Sequence, residues 1–272
     1  MKNAQLTNTA LRSFAIAGFC LLVSIVAAAQ AAPDAPVYLL REYMKVEPGM
    51  EEEYLKVEHL WKKVHQRRKD EGKILNWNLS RSSFYGTNAD YDYMTVTAFK
   101  SGKELEEAQN MTWEYITKGM SPEEIALANS TGKTRKMVSS SLSYQLLRSQ
   151  SNAENRFIKI TQVKAAAGKG VELEKAEAMM KPVFDEAGKM GAISGWRFGE
   201  HLYPRSAEGA NYYRIESTNT MADMLTHESS GYLEKAFKKV YPTKDFAATM
   251  KSIRDLITLL DVELFERVDS TK

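Results

Sequence analysis

The stretch GKILNWNLSRS, residues 72–82, recurs later in the chain as GAISGWRFGEH, residues 191–201. An offset of 119 residues aligns the two stretches without a gap and pairs Trp77 with Trp196. The same offset pairs further identical residues: Lys45 with Lys164, Gly49 with Gly168, Glu58 with Glu177, Lys62 with Lys181 and Tyr93 with Tyr212. The sequence therefore predicts a tandem duplication, with the two tryptophans as packing residues at one equivalent position.

The first unit is predicted over residues 37–148 and begins with a strand at residues 37–46. This strand is apolar on both faces, which is typical of a strand that is covered on both sides. A Glu-Pro-Gly turn then leads into a helix over residues 50–71, where apolar side chains recur at spacings of three and four. Gly72 ends the helix.

The rest of the first unit supplies three more strands and a helical segment. The second strand lies within residues 72–82, a loop spans 86–90, the third strand is 91–99, helices span 100–118 and 121–129, and the last strand is 140–147. The order β-α-β-β-α-β is that of a ferredoxin-like unit.

The second unit repeats this order over residues 156–268, after a hydrophilic linker at 149–155. Its strands are predicted at 156–164, 193–199, 211–217 and 258–267, and its helices at 171–190 and 220–257. Each unit then has one helical layer and one bare sheet face. The predicted fold is α+β, with the two bare faces packed sheet to sheet.

Residues 1–31 have the pattern of a secretory signal peptide. Lys2 and Arg12 precede an apolar run that ends in small residues at 29–31. The run is shorter than the ~20 residues that a membrane span needs, so a retained anchor is the less favoured alternative. We expect a bacterial periplasmic or secreted protein that has no membrane association after cleavage.

Removal of this leader would also remove Cys20, the only cysteine, so no disulfide would support the mature fold. The leader carries two of the 37 basic residues and none of the 35 acidic residues, which leaves equal numbers of each. A neutral chain without a basic block argues against nucleic acid as a partner.

Several turns, caps and strand residues form a recognisable set: Pro48-Gly49, Gly72, Gly191, Gly195-Trp196-Arg197, Ser101 and Thr220. This set resembles the dimeric α/β-barrel superfamily, and within it the chain is similar to antibiotic-biosynthesis-monooxygenase-like and NIPSNAP-like proteins. The resemblance implies a barrel fold. It leaves function open, because the superfamily includes cofactor-free monooxygenases, isomerases, haem-degrading enzymes and chlorite-dismutase-like haem proteins.

The alternation of polar and apolar residues along the strands predicts a polar barrel interior. The apolar faces of the third strands, with Met94, Val96, Tyr213 and Ile215, are expected to pack against the helices. The polar faces then supply the predicted ligand-binding set: Asn76, Asn78, Tyr93, Arg197, Tyr212, Arg214 and Glu216. Such an interior would orient an anionic or aromatic small molecule.

An alternative is that the arginines fill the barrel by pairing with Glu216 or Glu263, because buried charges need partners whether or not a ligand binds. Two arginines against Glu216 leave an excess positive charge, however, and such a charge favours an anion. No catalytic residue is assigned, and the residues do not decide whether the protein is an enzyme.

The four histidines do not form a predicted metal site. His59 and His65 lie on different faces of one helix, without a carboxylate at metal-ligand spacing. His201 and His227 are alternatives for a lone haem ligand. We otherwise expect no cofactor and no metal, and we allow for a homo-oligomer. The favoured function is small-molecule binding in a secreted barrel, and the alternatives are a cofactor-free monooxygenase or isomerase and a haem-binding barrel.

Overall fold

A computed structural model describes residues 37–84, 90–149, 155–227 and 229–272. The predicted signal peptide, most of the linker and most of the loop at 86–90 lie outside these residues. The first half of the chain forms β1 (Val37–Val46), α1 (Glu51–Asp70), β2 (Asn76–Phe84), β3 (Tyr93–Phe99), α2 (Gly102–Gln109), α3 (Trp113–Thr117), α4 (Pro122–Asn129), α5 (Thr131–Thr134) and β4 (Arg135–Arg148).

The second half follows the same order of strands and helices. It forms β5 (Phe157–Ala165), α6 (Gly170–Lys189), β6 (Gly195–Tyr203), β7 (Tyr212–Thr218), α7 (Met221–Thr226), α8 (Tyr232–Val240), α9 (Phe246–Arg254) and β8 (Ile257–Ser270). The bounds of α6, β6 and β7 each lie 119 residues after those of α1, β2 and β3. Helix α6 runs through Pro182.

The strands close into one antiparallel barrel in the order β1-β3-β2-β8-β5-β7-β6-β4. Strand β4 pairs with β1 of its own half and with β6 of the other half. Strand β8 likewise pairs with both β5 and β2. The two sheets are therefore joined by hydrogen bonds at their edges. The sequence predicts only that their faces pack together.

Strands β4 and β8 extend beyond their predicted bounds of 140–147 and 258–267. Strand β4 starts at Arg135, and its serine-rich first part pairs with β1 as far as Val46. Serine has no strong strand preference, so the sequence does not reveal this part of the strand. The segment predicted as helical at 220–257 forms three helices, and Gly231 with φ 63° precedes the second of them.

The helices cover the outer face of the barrel. Trp77 and Trp196 are each 1% exposed and lie in the two clusters that join helices to sheet. His65 of α1 stacks on Trp77 with ring centres 5.0 Å apart, and Phe184 of α6 stacks on Trp196 at 4.5 Å. In the ranges that the structure describes, no helix combines the length and the apolar character that a membrane crossing requires.

A third cluster lies in the barrel interior. It consists of Leu39, Tyr43, Met94, Ala98, Ile158, Ile160, Tyr213, Ile215 and Phe265. These side chains come from strands of both halves, so the barrel core is shared between them.

Candidate functional site

The polar residues of β3 face the helices, so the prediction that they line the barrel interior is wrong. Thr97 pairs across the sheet with Trp77, and directly opposite residues share one face. Trp77 packs in the cluster under α1, which places this face of β3 there too. Tyr93 accordingly donates a hydrogen bond of 2.6 Å to Glu51 of α1.

The same correction applies to β7. Tyr212 donates to Glu174 at 2.8 Å, and Nε of Arg214 donates to Oε1 of Glu177 at 2.7 Å, both on α6. The predicted partners of Arg214 were Glu216 and Glu263, and its partner in the structure is Glu177. Met94, Ile215 and Tyr213 occupy the inner face instead.

Glu216 lies in a polar cluster on the helix side. It accepts hydrogen bonds from Nε2 of His227 at 2.6 Å and from the Tyr232 hydroxyl at 2.9 Å, and Nζ of Lys159 lies 3.3 Å away. Burial acts to raise the pKa of Glu216, but His227 and Lys159 outweigh burial and lower the pKa to about 2. Glu216 is therefore a paired, ionised carboxylate.

Three of the predicted site residues, Asn76, Asn78 and Arg197, lie on the opposite strand face from the tryptophans, because side chains alternate along a strand. Asn76 is exposed, whereas Asn78 and Arg197 are partly buried. The pKa of Arg197 is lowered by burial, and the charges of Arg148 and Arg41 lower it further. Arg197 thus belongs to the barrel interior as predicted from alternation, and it lies near Arg41.

Arg41 of β1 is an interior residue that was not predicted from the sequence. It is 1% exposed and its Nη1 donates to Oγ of Ser143 on β4 at 2.6 Å. Its guanidinium carbon lies 4.1 Å from the ring centre of Tyr213. Among the described residues, its Nη2 atom has no hydrogen-bond partner. The sequence did contain a clue, because Leu39, Arg41 and Tyr43 are spaced by two and therefore share one face of the strand.

A hydrogen-bonded chain of three side chains lies within the electrostatic influence of this arginine. Gln162 donates from Nε2 to Glu263 at 3.2 Å, and Oε1 of Gln162 lies 2.8 Å from Nε2 of His201. Because an amide oxygen accepts, His201 must donate from Nε2. Burial, with Arg41 and Arg205, lowers the pKa of His201 to about 4, so the ring is neutral at pH 7.

Glu263 is the acidic group of the barrel interior. Burial raises its pKa to about 7, although the charge of Arg41 acts in the opposite direction. At neutral pH the carboxyl group is therefore only partly ionised. Among the described residues, the guanidinium groups of Arg41 and Arg197 then stand against a carboxylate with less than full charge.

The haem alternative does not fit His227. Its Nδ1 lies 2.8 Å from the carbonyl oxygen of Met224 and its Nε2 lies 2.6 Å from Glu216. Both partners are acceptors, so both ring nitrogens donate and neither is free to bind iron. Burial lowers the pKa of His227, but the bond to Glu216 outweighs burial and the pKa is raised.

His201 is 8% exposed, and its ring lies 5.4 Å from that of Tyr213 inside the barrel. Its Nε2 is engaged by Gln162, so this nitrogen is not free to bind iron. Within the described ranges there is also no group of three or more side chains suited to hold a metal ion.

Comparisons with known proteins agree with the fold. No family model matches the sequence. No curated protein matches it. The solved structure of a candidate monooxygenase from Lactobacillus acidophilus NCFM is similar, with a TM-score of 0.53, 10% identity, and coverage of 88% of this chain and 96% of that one. An anthrone-oxidase-like protein also has a TM-score of 0.53, with 13% identity and coverage of 87% and 93%.

A candidate chlorite dismutase, TA0507, is similar with a TM-score of 0.50 and 11% identity, over 86% of this chain and 96% of that one. At these identities the likeness shows the fold alone. The chain thus has the fold of the dimeric α/β barrels, as its turns and caps suggested. The chemistry must be argued from its own residues.

Proposed function

We propose that this protein binds a small anionic molecule, such as an aromatic carboxylate, inside its barrel beside Arg41 and Arg197. The site differs from the predicted one in its residues. Arg41 takes the place that Arg214 was expected to fill, because Arg214 faces the helices and pairs with Glu177. Asn78 and Arg197 remain part of the proposal through their strand positions.

The observation that carries the proposal is the Nη2 atom of Arg41, which has no hydrogen-bond partner in the part of the chain that the structure describes, on a residue that is 1% exposed. A buried cationic donor without an acceptor is costly, and native structures contain few of them. A ligand carboxylate would accept from this atom. Guanidinium groups bind carboxylates well because their donors match the two oxygens.

The surroundings of Arg41 favour an aromatic anion. Tyr213 and Tyr43 line the same interior cluster, and both are less than 9% exposed. Aromatic side chains offer offset or edge contacts to a ring. Gln162 and Glu263 are partly exposed, which indicates that solvent reaches this part of the barrel.

Two further proposals concern the whole chain. We infer from the repeated stretch and its constant offset that the two halves arose by duplication of one ferredoxin-like unit. The apolar N-terminal run supports secretion or export to the periplasm, with cleavage of the leader. A monooxygenase or isomerase activity stays a prediction, because the likeness to proteins with such names is limited to the fold. A homo-oligomeric state also stays a prediction.

The proposal is tested by calorimetric titration of the protein with benzoate, and with benzamide as the uncharged control of the same shape. We expect benzoate to bind and benzamide to bind at least tenfold more weakly. Equal binding of both compounds, or no binding of benzoate, contradicts an anion site. A visible absorption spectrum after addition of haem tests the alternative of a haem-binding barrel, which predicts a shifted Soret band.

A further inference from the structure

Two strand segments of the barrel have a neighbouring strand on one side only. Strand β4 pairs with β1 from its first residue, but its pairing with β6 begins at Leu142. Strand β8 pairs with β5 from its first residue, but its pairing with β2 begins at Leu264. Within the described ranges, residues 135–141 and 257–263 therefore each have one strand edge that faces no other strand. We call these two segments the free edges of β4 and β8.

Both free edges carry apolar side chains that are exposed to solvent. These side chains are between 42% and 58% exposed, and they are Met137 and Val138 on β4 and Leu259, Leu260 and Val262 on β8. An exposed apolar strand edge is a template for pairing with another strand, and isolated proteins usually avoid one. Apolar side chains concentrated on a surface indicate that a partner covers them.

An exposed aromatic ring lies where each free edge ends. Tyr203 is 70% exposed, is the last residue of β6 and pairs with Leu142 of β4. Phe84 is 64% exposed, is the last residue of β2 and pairs with Leu264 of β8. A strand added along either free edge would therefore end beside one of these rings and cover it.

The two free edges lie at the same end of the barrel and on opposite sides of it. Neighbouring strands in the barrel are antiparallel, and β4 and β8 are four strands apart in its order, so these two strands run in the same direction. Each free edge is the first part of its strand, which places both at one end. A second copy, rotated by 180° about an axis perpendicular to the barrel axis, can therefore approach end to end with its free edges antiparallel to those of the first. Such a contact is isologous and closes as a dimer.

The charges of the two free edges are complementary. The free edge of β4 contains two basic residues and no acidic residue, whereas that of β8 contains two acidic residues and no basic residue. Pairing of β4 with β8 therefore brings opposite charges together, and pairing of each strand with its own copy brings like charges together. Opposite charges and apolar pairs across two strands stabilise a sheet, and like charges destabilise it.

One antiparallel register matches both the charges and the apolar residues. The Lys136 side chain is 74% exposed although it lies 3.1 Å from Glu47, so it is accessible to a second copy. Asp261 is also exposed. The register pairs Lys136 with Asp261, Met137 with Leu260 and Val138 with Leu259.

We propose that this protein forms a dimer in which the free edge of β4 in each copy pairs with the free edge of β8 in the other. The two added strand pairs give the backbone groups of both free edges hydrogen-bond partners, and they cover the exposed apolar side chains. This interface lies at the end of the barrel and does not depend on the anion site proposed for its interior.

The test is sedimentation equilibrium of the unaltered protein and of charge variants at pH 7. We expect the unaltered protein to have the mass of two chains. Lys136→Glu and Asp261→Lys each place like charges opposite each other at two positions in the dimer, so each should weaken dimerisation at least tenfold. The double variant Lys136→Glu/Asp261→Lys restores opposite charges and should regain the affinity.

Lys189→Glu is the matched control. Lys189 is the last residue of α6, its side chain is 75% exposed, and it lies 4.0 Å from Glu186, much as Lys136 lies near Glu47. This variant should dimerise as the unaltered protein does, and circular dichroism checks that every variant is folded. A monomer at every concentration overturns the proposal, and so does a dimer that neither single variant weakens. A double variant as weak as the single variants shows that β4 does not face β8, which overturns it too.

Discussion

The guanidinium group of Arg41 lies over the ring of Tyr213, with 4.1 Å between the guanidinium carbon and the ring centre. Arg41 belongs to the first strand of the chain and Tyr213 to the seventh, so the contact joins the two halves inside the barrel. A cation over an aromatic face is favourable when both are removed from water. It does not satisfy the hydrogen-bonding capacity of the arginine, however, because Nη2 has no acceptor within the described ranges.

The first prediction is that Arg41→Met leaves the protein as stable as before or makes it more stable, by up to about 2 kcal/mol. The methionine keeps the length of the side chain and removes a buried charge that the protein itself pairs incompletely. Urea denaturation at pH 7 measures the free energy of unfolding. A loss of several kcal/mol would show that Arg41 is a structural residue.

The second prediction concerns the pH dependence of stability. The pKa of Glu263 is about 7 in the folded protein, above its ordinary value near 4.3. The folded state therefore binds a proton more tightly than the unfolded state, and this contribution to stability is lost as the pH rises through 7. The variant Glu263→Gln has no ionisable group at this position, so it does not lose this stability as the pH rises.

We expect the free energy of unfolding of Glu263→Gln, relative to that of the unaltered protein, to increase between pH 5 and pH 8 by about 1 to 3 kcal/mol. The lowered pKa values of His201 and His65 act in the opposite direction, but their effects are shared by both proteins to a first approximation. Denaturation curves at pH 5, 6, 7 and 8 give the difference. A difference that does not change with pH would contradict the burial of an ionisable Glu263.

The third prediction is that Trp77→Ala and Trp196→Ala each destabilise the protein by roughly 3 to 5 kcal/mol, because both indoles are fully packed between helix and sheet. Thermal denaturation followed by circular dichroism measures the effect. Trp113→Ala is the control, since Trp113 is 45% exposed and its loss should change little. Near-normal melting temperatures for the first two variants would indicate that these tryptophans do not hold the layers together.

The fourth prediction is that residues 37–148, expressed alone, do not form a stable monomer. Without the second half, β2 loses its partner β8 and β4 loses its partner β6. The fragment would then expose two strand edges and the apolar inner face of its sheet, which favours dimers or aggregates. Light scattering measures the mass of the particles. A well-folded monomer would show that the barrel is not a single cooperative unit.

The strands and helices were largely predictable from the sequence because each one is long and has a clear period. Which face of each third strand points into the barrel was not predictable. Alternation separates the two faces of β3 but does not say which face is inside, and both faces are buried in a closed barrel. The cross-strand pairing of Thr97 with Trp77 shows which face is inside, and this pairing was not predicted from the sequence.

The candidate site was only partly predictable for the same reason. Arg197 was assigned to the interior from the polar face of its strand, and it lies on the face opposite Trp196. Arg214 and Glu216 were assigned to the interior. Spacing did not reveal their partners, which are Glu177 on α6 and His227 at the end of α7. Arg41 was missed because the strand around it was treated as uniformly apolar.

The most direct test of the anion site is a calorimetric titration of Arg41→Met with benzoate, beside the unaltered protein and the control Arg254→Met. Arg254 is an exposed arginine of α9, outside the barrel. The account predicts that Arg41→Met binds benzoate at least tenfold more weakly, whereas Arg254→Met binds it as the unaltered protein does. Equal affinity for benzoate in all three proteins would contradict the central claim that Arg41 holds an anion inside the barrel.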